Sequence, residues 1–224
     1  MSYAHVEDII TTLRGELPPE VTLVAVSKFH PIEAIEAAVR GGQEVFGESR
    51  AQELAQKHAA LPHLKWHFIG HLQSNKVRAV VPYVSLIHSV DSVALLHTID
   101  KEAARIGRVV DVLLQLHVAQ ETSKFGLTCD ECVALADSGV LATLGNVNVR
   151  GVMGMATNTD DSAEIAAEFK KIRSVFDTLK SSFYPSDDTF SVVSMGMSHD
   201  YKIAIDCGSN MVRIGTTIFG EREY

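Results

Sequence analysis

Thr22-Leu23-Val24-Ala25-Val26-Ser27-Lys28 reads as a buried β-strand that ends in a cation. Its unbroken run of apolar residues is typical of a parallel strand that is covered on both faces. A strand of this kind normally ends in turn residues, so we expect the amine of Lys28 to point into the following loop. A second apolar strand, Met211–Thr216, carries Arg213. If the two strands are neighbours, an amine and a guanidinium share one pocket, which is an environment that favours a reactive amine.

Short apolar runs of this type recur along the whole chain and alternate with amphipathic segments. The clearest helix is predicted over Asp161–Lys180, with Asp161 and Ser162 as N-cap candidates. An extra helix is predicted before the first strand. The strand candidates are Thr22–Ser27, Val45–Gly47, Trp66–Ile69, Leu86–Ser89, Val109–Val118, Val149–Met155, Ser191–Ser194 and Met211–Ile214.

Strict alternation of strands and helices indicates an α/β protein, and two architectures fit it. Eight strand–helix units in 224 residues favour a closed (β/α)8 TIM barrel over an open, doubly wound sheet. The chain has no Gly-x-Gly-x-x-Gly after the first strand, which argues against a dinucleotide-binding sheet. Since no Pro-, Gly- or Ser-rich linker divides the sequence, we expect residues 1–224 to form a single domain.

Composition limits the classes of partner. The net charge of −8 argues against nonspecific binding to nucleic acid or to an anionic membrane. We find neither a bilayer-spanning apolar stretch nor an N-terminal leader pattern. Three cysteines do not suggest a disulfide framework, so we expect a cytoplasmic protein.

In a TIM barrel, the residues that follow the strands face one common mouth. The loops after strands seven and eight commonly form a phosphate site there. Ser194 offers a hydroxyl, Gly215 and Thr216 offer backbone N–H groups, and Gly196 permits close approach of the backbone. A ligand with a phosphate at one end and an aldehyde at the other would reach both this site and the amine of Lys28.

Structural interpretations of the same residues remain open at this point. Lys28 could be a solvated strand end or half of an ion pair, Arg213 could pair with Asp206 or Glu48, and Ser194 could cap the next helix. The Cys129–Cys132 pair has no second pair to complete a zinc site, and His67 is interpreted as an interior residue. We therefore assign no metal ligand. Four methionines fill the core or wall a flat aromatic ligand: Met153, Met155, Met195 and Met197.

Several segments resemble those of the pyridoxal phosphate homeostasis proteins. They extend over almost the whole chain, and the longer ones are specific. They are Val24–Lys28, Phe46-Gly47-Glu48-Ser49-Arg50-Ala51-Gln52-Glu53, Trp66–Lys76, Ser194-Met195-Gly196-Met197-Ser198 and Val212-Arg213-Ile214-Gly215-Thr216.

The resemblance implies a single barrel like the N-terminal domain of alanine racemase, in the class known as fold type III. It also implies pyridoxal 5'-phosphate (PLP) bound as an imine on Lys28. Arg213 would lie near the pyridine nitrogen, and Ser194, Gly215 and Thr216 would lie at the phosphate.

Three further residues are assigned to the cofactor site. Many members of the family have Gly-Glu-Asn after the second strand, whereas this chain has Gly47-Glu48-Ser49. Ser49 would therefore contact the ring at shorter reach than asparagine. Met153 is expected to wall the ring, and Gly196 to allow the backbone close to the ligand.

Three functions are compatible with these residues. The first is a monomeric, non-enzymatic protein that buffers PLP or delivers it to PLP-dependent acceptor enzymes. The second is a PLP-dependent amino-acid racemase, which needs a second base opposite the lysine. None of the five tyrosines lies at a predicted strand end facing the mouth, so the first function is favoured and no catalytic residue is assigned. The third is a Schiff-base aldolase acting on a phosphorylated sugar.

Overall fold

Eight parallel strands close into one barrel in the computed structural model, which describes residues 3–119 and 125–221. The strands follow one another around the barrel in chain order, and the last pairs with the first. The predicted (β/α)8 fold is therefore confirmed. The strands are β1 (Thr22–Val26), β2 (Val45–Glu48), β3 (Lys65–Phe68), β4 (Leu86–Val90), β5 (Val110–Gln115), β6 (Val147–Met153), β7 (Val192–Met197) and β8 (Met211–Ile214).

Helices surround the barrel and cover the outer face of its strands. Short 3-10 segments occupy Ser74–Lys76 and Val140–Thr143. Within the described ranges, no helix is long and apolar enough to cross a lipid bilayer. The helices are α1 (Ala4–Glu16), α2 (Ile32–Arg40), α3 (Ala51–Ala60), α4 (Val77–Val80), α5 (Val93–Arg105), α6 (Cys129–Asp137), α7 (Ser162–Ser182), α8 (Tyr201–Asp206) and α9 (Thr216–Phe219).

The predicted helix over Asp161–Lys180 is confirmed as α7. The carboxylate of Asp161 accepts hydrogen bonds from the N–H groups of Ala163 and Glu164, so this residue is the N-cap. The apolar face of α7 buries Phe169 and Ile172 completely. Packing of this face against the barrel is what stabilises the helix.

The predicted fifth and sixth strands differ from the observed ones at their ends. The apolar run Val109–Val118 predicts a long strand, but β5 ends at Gln115 because Leu116 bridges to Leu127. The sixth strand begins two residues earlier than predicted, at Val147. Val147 aligns with Val110, so pairing with β5 begins before the first residue of the predicted strand, Val149.

Apolar side chains pack together in part of the barrel interior. One buried cluster combines side chains from five strands: Val24, Leu86, Leu113, Met153 and Met211. Filling of this kind is usual in eight-stranded barrels, whose interior is a core and not a channel. Ligand chemistry is therefore confined to the layer above it, at the carboxyl ends of the strands.

A glycine allows strands β6 and β7 to approach each other closely. Gly151 has a φ of +150°, and a Cβ at this position would lie 1.8 Å from the carbonyl oxygen of Val192. The register between β5 and β6 shifts beside it, between Val112 and Leu113. Gly151 thus occupies a bulge that side-chain-bearing residues cannot occupy without displacing the neighbouring strand.

Candidate functional site

A cavity of about 230 Å³ opens at the carboxyl ends of β1, β7 and β8. Its volume is slightly below the usual range for drug-sized ligands, which suits a small molecule. The wall combines two cations with hydroxyl groups and apolar side chains. It is formed by Val26, Lys28, His30, Ser49, Ile69, Met155, Met197, Ser198, His199, Arg213, Gly215, Thr216 and Gly220.

The pairing of β1 with β8 brings Lys28 and Arg213 to one wall. Val24 lies opposite Arg213 in the register, so Lys28 follows β1 four residues further toward the mouth. Lys28 is partly buried and Arg213 is almost fully buried. The predicted shared pocket of these two cations is therefore present.

The guanidinium of Arg213 is held by oxygen acceptors in the barrel. Nη1 donates to the carbonyl oxygen and the Oγ of Ser194 at 2.9 and 2.6 Å, and Nη2 donates to the carbonyl of Gly154 at 3.0 Å. Burial lowers the pKa of Arg213 to about 10, although the charge of Asp200 acts in the opposite direction. The guanidinium therefore remains charged at neutral pH. Glu48, a candidate partner from sequence, pairs with Lys57 instead.

Two buried histidines continue the hydrogen bonds of Arg213 across the barrel. Ser194 Oγ lies 3.1 Å from His88 Nδ1, and His88 Nε2 lies 3.0 Å from His67 Nδ1. Burial lowers the pKa of His67 to about 3 and that of His88 well below 6.5. Both rings are therefore neutral at pH 7. The expectation that His67 is an interior residue with a partner is confirmed.

Arg213 fixes the role of Ser194 in one of these contacts. Arg213 can only donate, so Ser194 Oγ accepts from it. A neutral His88 carries its single proton on Nδ1 or on Nε2, and the serine hydroxyl can accept from the first tautomer or donate to the second. In either case His88 has a partner on both ring nitrogens, Ser194 on one side and His67 on the other.

The turns after β7 and β8 form the polar side of the cavity. The hydroxyl of Ser198 accepts a hydrogen bond of 3.2 Å from the N–H of Gly215. Thr216 begins α9, where first-turn amides have no partner within the helix. A Cβ on Gly215 would lie 3.2 Å from that of Val26, so a larger residue would crowd β1. Hydroxyl and amide donors at this point are suited to an anionic group.

The structure brings together Lys28, Ser49, Arg213, Gly215 and Thr216 in this wall, as the sequence predicts. Their roles toward a cofactor remain predictions. Three other predicted site residues lie outside the cavity wall: Ser194, Gly196 and Met153.

Each of these three residues has a structural environment that explains its position. Ser194 is fully buried beneath Arg213. Met153 is 1% exposed within the inner cluster, and Met155, two residues nearer the mouth on the same face, lines the cavity instead. Gly196 has a φ of +97°, and a Cβ at this position would lie 2.6 Å from the Cβ of Ala204 on α8.

Several residues of the wall have no assigned role in the sequence interpretation. Ser198 and His199 follow β7, and His30 follows Lys28, with its ring stacked on Phe219 at a centroid distance of 4.9 Å. Two signals in the sequence indicate Ser198: it follows a strand, and it ends one of the segments that resemble the family. His88 lies in an apolar strand, and no signal in the sequence pairs it with His67.

The Cys129–Cys132 pair lies on the outside of the barrel at the start of α6. Burial raises the thiol pKa of Cys129, and it raises that of Cys132 to about 12. Both thiols are therefore protonated at neutral pH, which does not favour redox chemistry or metal binding. In the part of the chain that the structure describes, no group of three metal-ligating side chains occurs.

Comparison with known proteins identifies the family. The family model described as alanine racemase, N-terminal domain, matches residues 2–223. The chain is 37% identical over 232 residues to the pyridoxal phosphate homeostasis protein of Vibrio alginolyticus, covering 98% of this chain and 97% of that protein. It is 36% identical over 229 residues to the protein of the same name from Escherichia coli K12, covering 99% and 95%.

Solved structures agree with this relationship. PipY of Synechococcus elongatus PCC7942, in its structure without PLP, superposes with a TM-score of 0.89 at 38% identity and covers 96% of this chain and 100% of its own. The structure of PipY with PLP bound gives a TM-score of 0.86 at 37% identity, with the same coverage. Alanine racemase from Enterococcus faecalis shares the fold, with a TM-score of 0.78 at 16% identity over 99% of this chain and 59% of the racemase. The chain therefore belongs to the alanine racemase N-terminal domain family and, within it, to the pyridoxal phosphate homeostasis proteins.

Proposed function

We propose that this protein binds PLP covalently through Lys28 and buffers or delivers the cofactor without turning over a substrate of its own. The observation that carries the proposal is the shared cavity of Lys28 and Arg213 at the carboxyl ends of the barrel strands. The names of the relatives, and the PipY structure with PLP bound, support the same ligand.

The residues of the cavity fit the chemical groups of PLP. Lys28 would hold the aldehyde carbon through an imine, formed with loss of water. Ser198 and Thr216 provide hydroxyl and amide groups on the side where a phosphate would bind, and the N–H of Gly215, which donates to Ser198, lies beside them. Met155 and Met197 supply apolar walls for a flat ring.

Arg213 would determine the electronic state of the bound cofactor. PLP supplies an electrophilic aldehyde and an aromatic ring that can act as an electron sink. A guanidinium that remains charged, with a pKa of about 10, disfavours a proton on a nearby ring nitrogen. Arg213 would therefore weaken that electron sink, which agrees with a protein that holds the cofactor and does not use it for catalysis.

Among the described residues, the cavity wall has no tyrosine to serve as the second base of a racemase. None of the described tyrosines (Tyr3, Tyr83, Tyr184 and Tyr201) is among the residues of the cavity wall. The similarity to alanine racemase, at 16% identity, supports a common fold and does not extend to activity. We therefore propose a carrier, and further propose that it acts as a monomer in the cytoplasm and passes PLP to acceptor enzymes.

Absorbance titration with PLP tests the ligand. The wild-type protein should develop a visible band that saturates at one equivalent, and the Lys28→Ala variant should not develop it. Arg213→Ala should shift the band or weaken PLP retention. Lys76→Ala, which removes an exposed lysine outside this cavity, is the matched control. A wild-type protein that is colourless once excess PLP has been removed by gel filtration would refute the proposal.

A second experiment distinguishes a carrier from an enzyme. The PLP-loaded protein is incubated with each enantiomer of alanine in D2O, and exchange of the α-proton is followed by NMR. A carrier should cause no exchange above that of free PLP. Exchange at a rate well above this background would favour the racemase.

A further inference from the structure

One helix holds the backbone on both sides of Lys28. The ammonium group of Lys57 on α3 donates a hydrogen bond of 2.7 Å to the carbonyl oxygen of Ser27. The carboxylate of Glu53, on the same helix, accepts a hydrogen bond of 2.6 Å from the N–H of Phe29. Lys57 Nζ and Glu53 Oε1 are 2.7 Å apart and form an ion pair, so the two contacts act as one unit. We call Glu53 and Lys57 the α3 clamp.

The α3 clamp is anchored by a buried carboxylate. The side chain of Lys57 is 6% exposed, and it donates a third hydrogen bond, of 2.8 Å, to Glu48 Oε1. The same carboxylate oxygen accepts a hydrogen bond of 2.6 Å from the hydroxyl of Ser27. Burial raises the pKa of Glu48, and the charge of Lys57 acts in the opposite direction. Buried ion pairs of this kind contribute little net stability compared with apolar packing. A positional role is therefore the better explanation for this arrangement.

The residue after Lys28 has an unfavourable backbone conformation. Phe29 has a φ of +70°, and it is the one non-glycine residue with a positive φ among those the structure describes. Bulky residues rarely adopt this region, because Cβ then crowds the backbone. The N–H of Phe29 is bonded to Glu53, and the guanidinium of Arg50 covers its ring at 4.5 Å. Conformations of this kind persist only where several contacts enforce them, and they cluster at functional sites.

We propose that Glu53 and Lys57 are positioning residues that orient Lys28 for reaction with the aldehyde of PLP. They fix the carbonyl before Lys28 and the N–H after it, and so set the direction in which its side chain leaves the backbone. Without the carboxylate of Glu53, Phe29 would relax to a negative φ. The peptide between Lys28 and Phe29 would then rotate, and fewer molecules would present the amine to the cavity.

This inference rests on the proposed function, and its test separates the two. The rate of PLP attachment is measured for wild type, Glu53→Ala and Glu53→Gln. Samples are quenched with borohydride at successive times, and mass spectrometry of the intact protein gives the fraction that carries the reduced adduct. Misplacement of a reacting group by about 1 Å costs up to roughly a hundredfold in rate, so we expect Glu53→Ala to slow attachment about tenfold or more. Glu53→Gln retains an oxygen acceptor for Phe29 and should be slowed less.

The control removes a similar helix carboxylate at a distance from the mouth. Glu102 on α5 pairs with Arg105, and its side chain is 19% exposed, as is that of Glu53. Glu102→Ala should attach PLP at the wild-type rate. If wild type does not attach PLP, the proposed function fails. If wild type and Glu53→Ala attach it equally fast, the clamp proposal fails and the proposed function stands.

A rescue variant distinguishes positioning from a general loss of stability. Glycine adopts a φ of +70° without strain, so Phe29→Gly in the Glu53→Ala background should recover part of the attachment rate. If Glu53→Ala acted only by destabilising α3, glycine at position 29 would not restore the attachment rate. Failure of the rescue in a double variant that is folded by circular dichroism would overturn the proposal.

A measurement without PLP completes the test. The N–H of Phe29 donates a short hydrogen bond to a carboxylate, so its NMR signal should lie downfield and exchange slowly with D2O. Glu53→Ala should abolish both properties, whereas Glu102→Ala should preserve them. An unperturbed Phe29 amide in Glu53→Ala would show that Glu53 does not hold this segment.

Discussion

The Nη1 atom of Arg213 donates a hydrogen bond of 2.6 Å to the hydroxyl of Ser194, which lies beneath it in the barrel. Ser194 is fully buried, so no water replaces it as an acceptor. The same hydroxyl is the link between Arg213 and the neutral histidine pair. The orientation of the cation in the cavity thus depends on a residue that does not line the cavity.

Replacement of Ser194 by alanine should destabilise the protein and alter the site. The change leaves a guanidinium N–H and a nitrogen of His88 without a buried partner, which costs about 1–3 kcal/mol. Urea denaturation at pH 7.5 measures this loss. Ser191→Ala, which removes an exposed hydroxyl with a long contact of 3.5 Å, is the control and should stay within about 0.5 kcal/mol. Equal stability of the two variants would contradict the role of Ser194.

The buried histidines should make stability depend on acidity. In the unfolded chain both rings bind a proton near pH 6.5, whereas burial lowers the pKa of His67 to about 3 and that of His88 well below 6.5. The unfolded state therefore binds more protons below pH 6.5, and the free energy of unfolding falls as the pH decreases from there toward 3. Each ring contributes about 1.4 kcal/mol per pH unit.

The His67→Asn variant measures one of these contributions. Asparagine retains an oxygen that can accept from His88 but does not titrate. Between pH 6 and 5, its free energy of unfolding should change less steeply than that of wild type, by about 1.4 kcal/mol per pH unit. His97→Asn, at an exposed position of α5, should keep the wild-type slope. Parallel slopes for wild type and His67→Asn would mean that His67 is not buried as a neutral ring.

Two glycines with positive φ allow steric crowding to be separated from backbone strain. A Cβ at Gly139 (φ +74°) would meet no atom within 4 Å, so Gly139→Ala should cost about 1 kcal/mol. A Cβ at Gly151 would lie 1.8 Å from the backbone of Val192, so Gly151→Ala should cost about 3 kcal/mol or more. Thermal denaturation of the two variants measures the difference. Similar losses would show that β6 and β7 can separate at little cost.

The sequence predicts the architecture because local patterns and global fold agree. Local signals predict the apolar strands, α7 with its cap Asp161, and the end of β1 just before Lys28. The end of β5 does not, because the bridge between Leu116 and Leu127 depends on pairing across the chain. Strand ends determined by such tertiary contacts cannot be predicted from periodicity.

The candidate site is predicted less completely than the fold. Strand alternation indicates which face Met153 and Met155 share, but not which of them lies at the height of the cavity. Glu53 contacts a residue 24 positions earlier in the chain, Phe29, and Lys57 contacts one 30 positions earlier, Ser27. Only the folded barrel brings these groups together.

Borohydride reduction of the PLP-loaded protein, followed by peptide mass mapping, identifies the lysine that holds the cofactor. We expect one pyridoxyl phosphate group per chain, on the peptide that contains Lys28, in wild type and in Lys76→Ala. We expect no such adduct in Lys28→Ala, which should remain folded because the residue follows the end of β1. A stoichiometric adduct on another lysine, or one that persists in folded Lys28→Ala, would contradict covalent binding at Lys28.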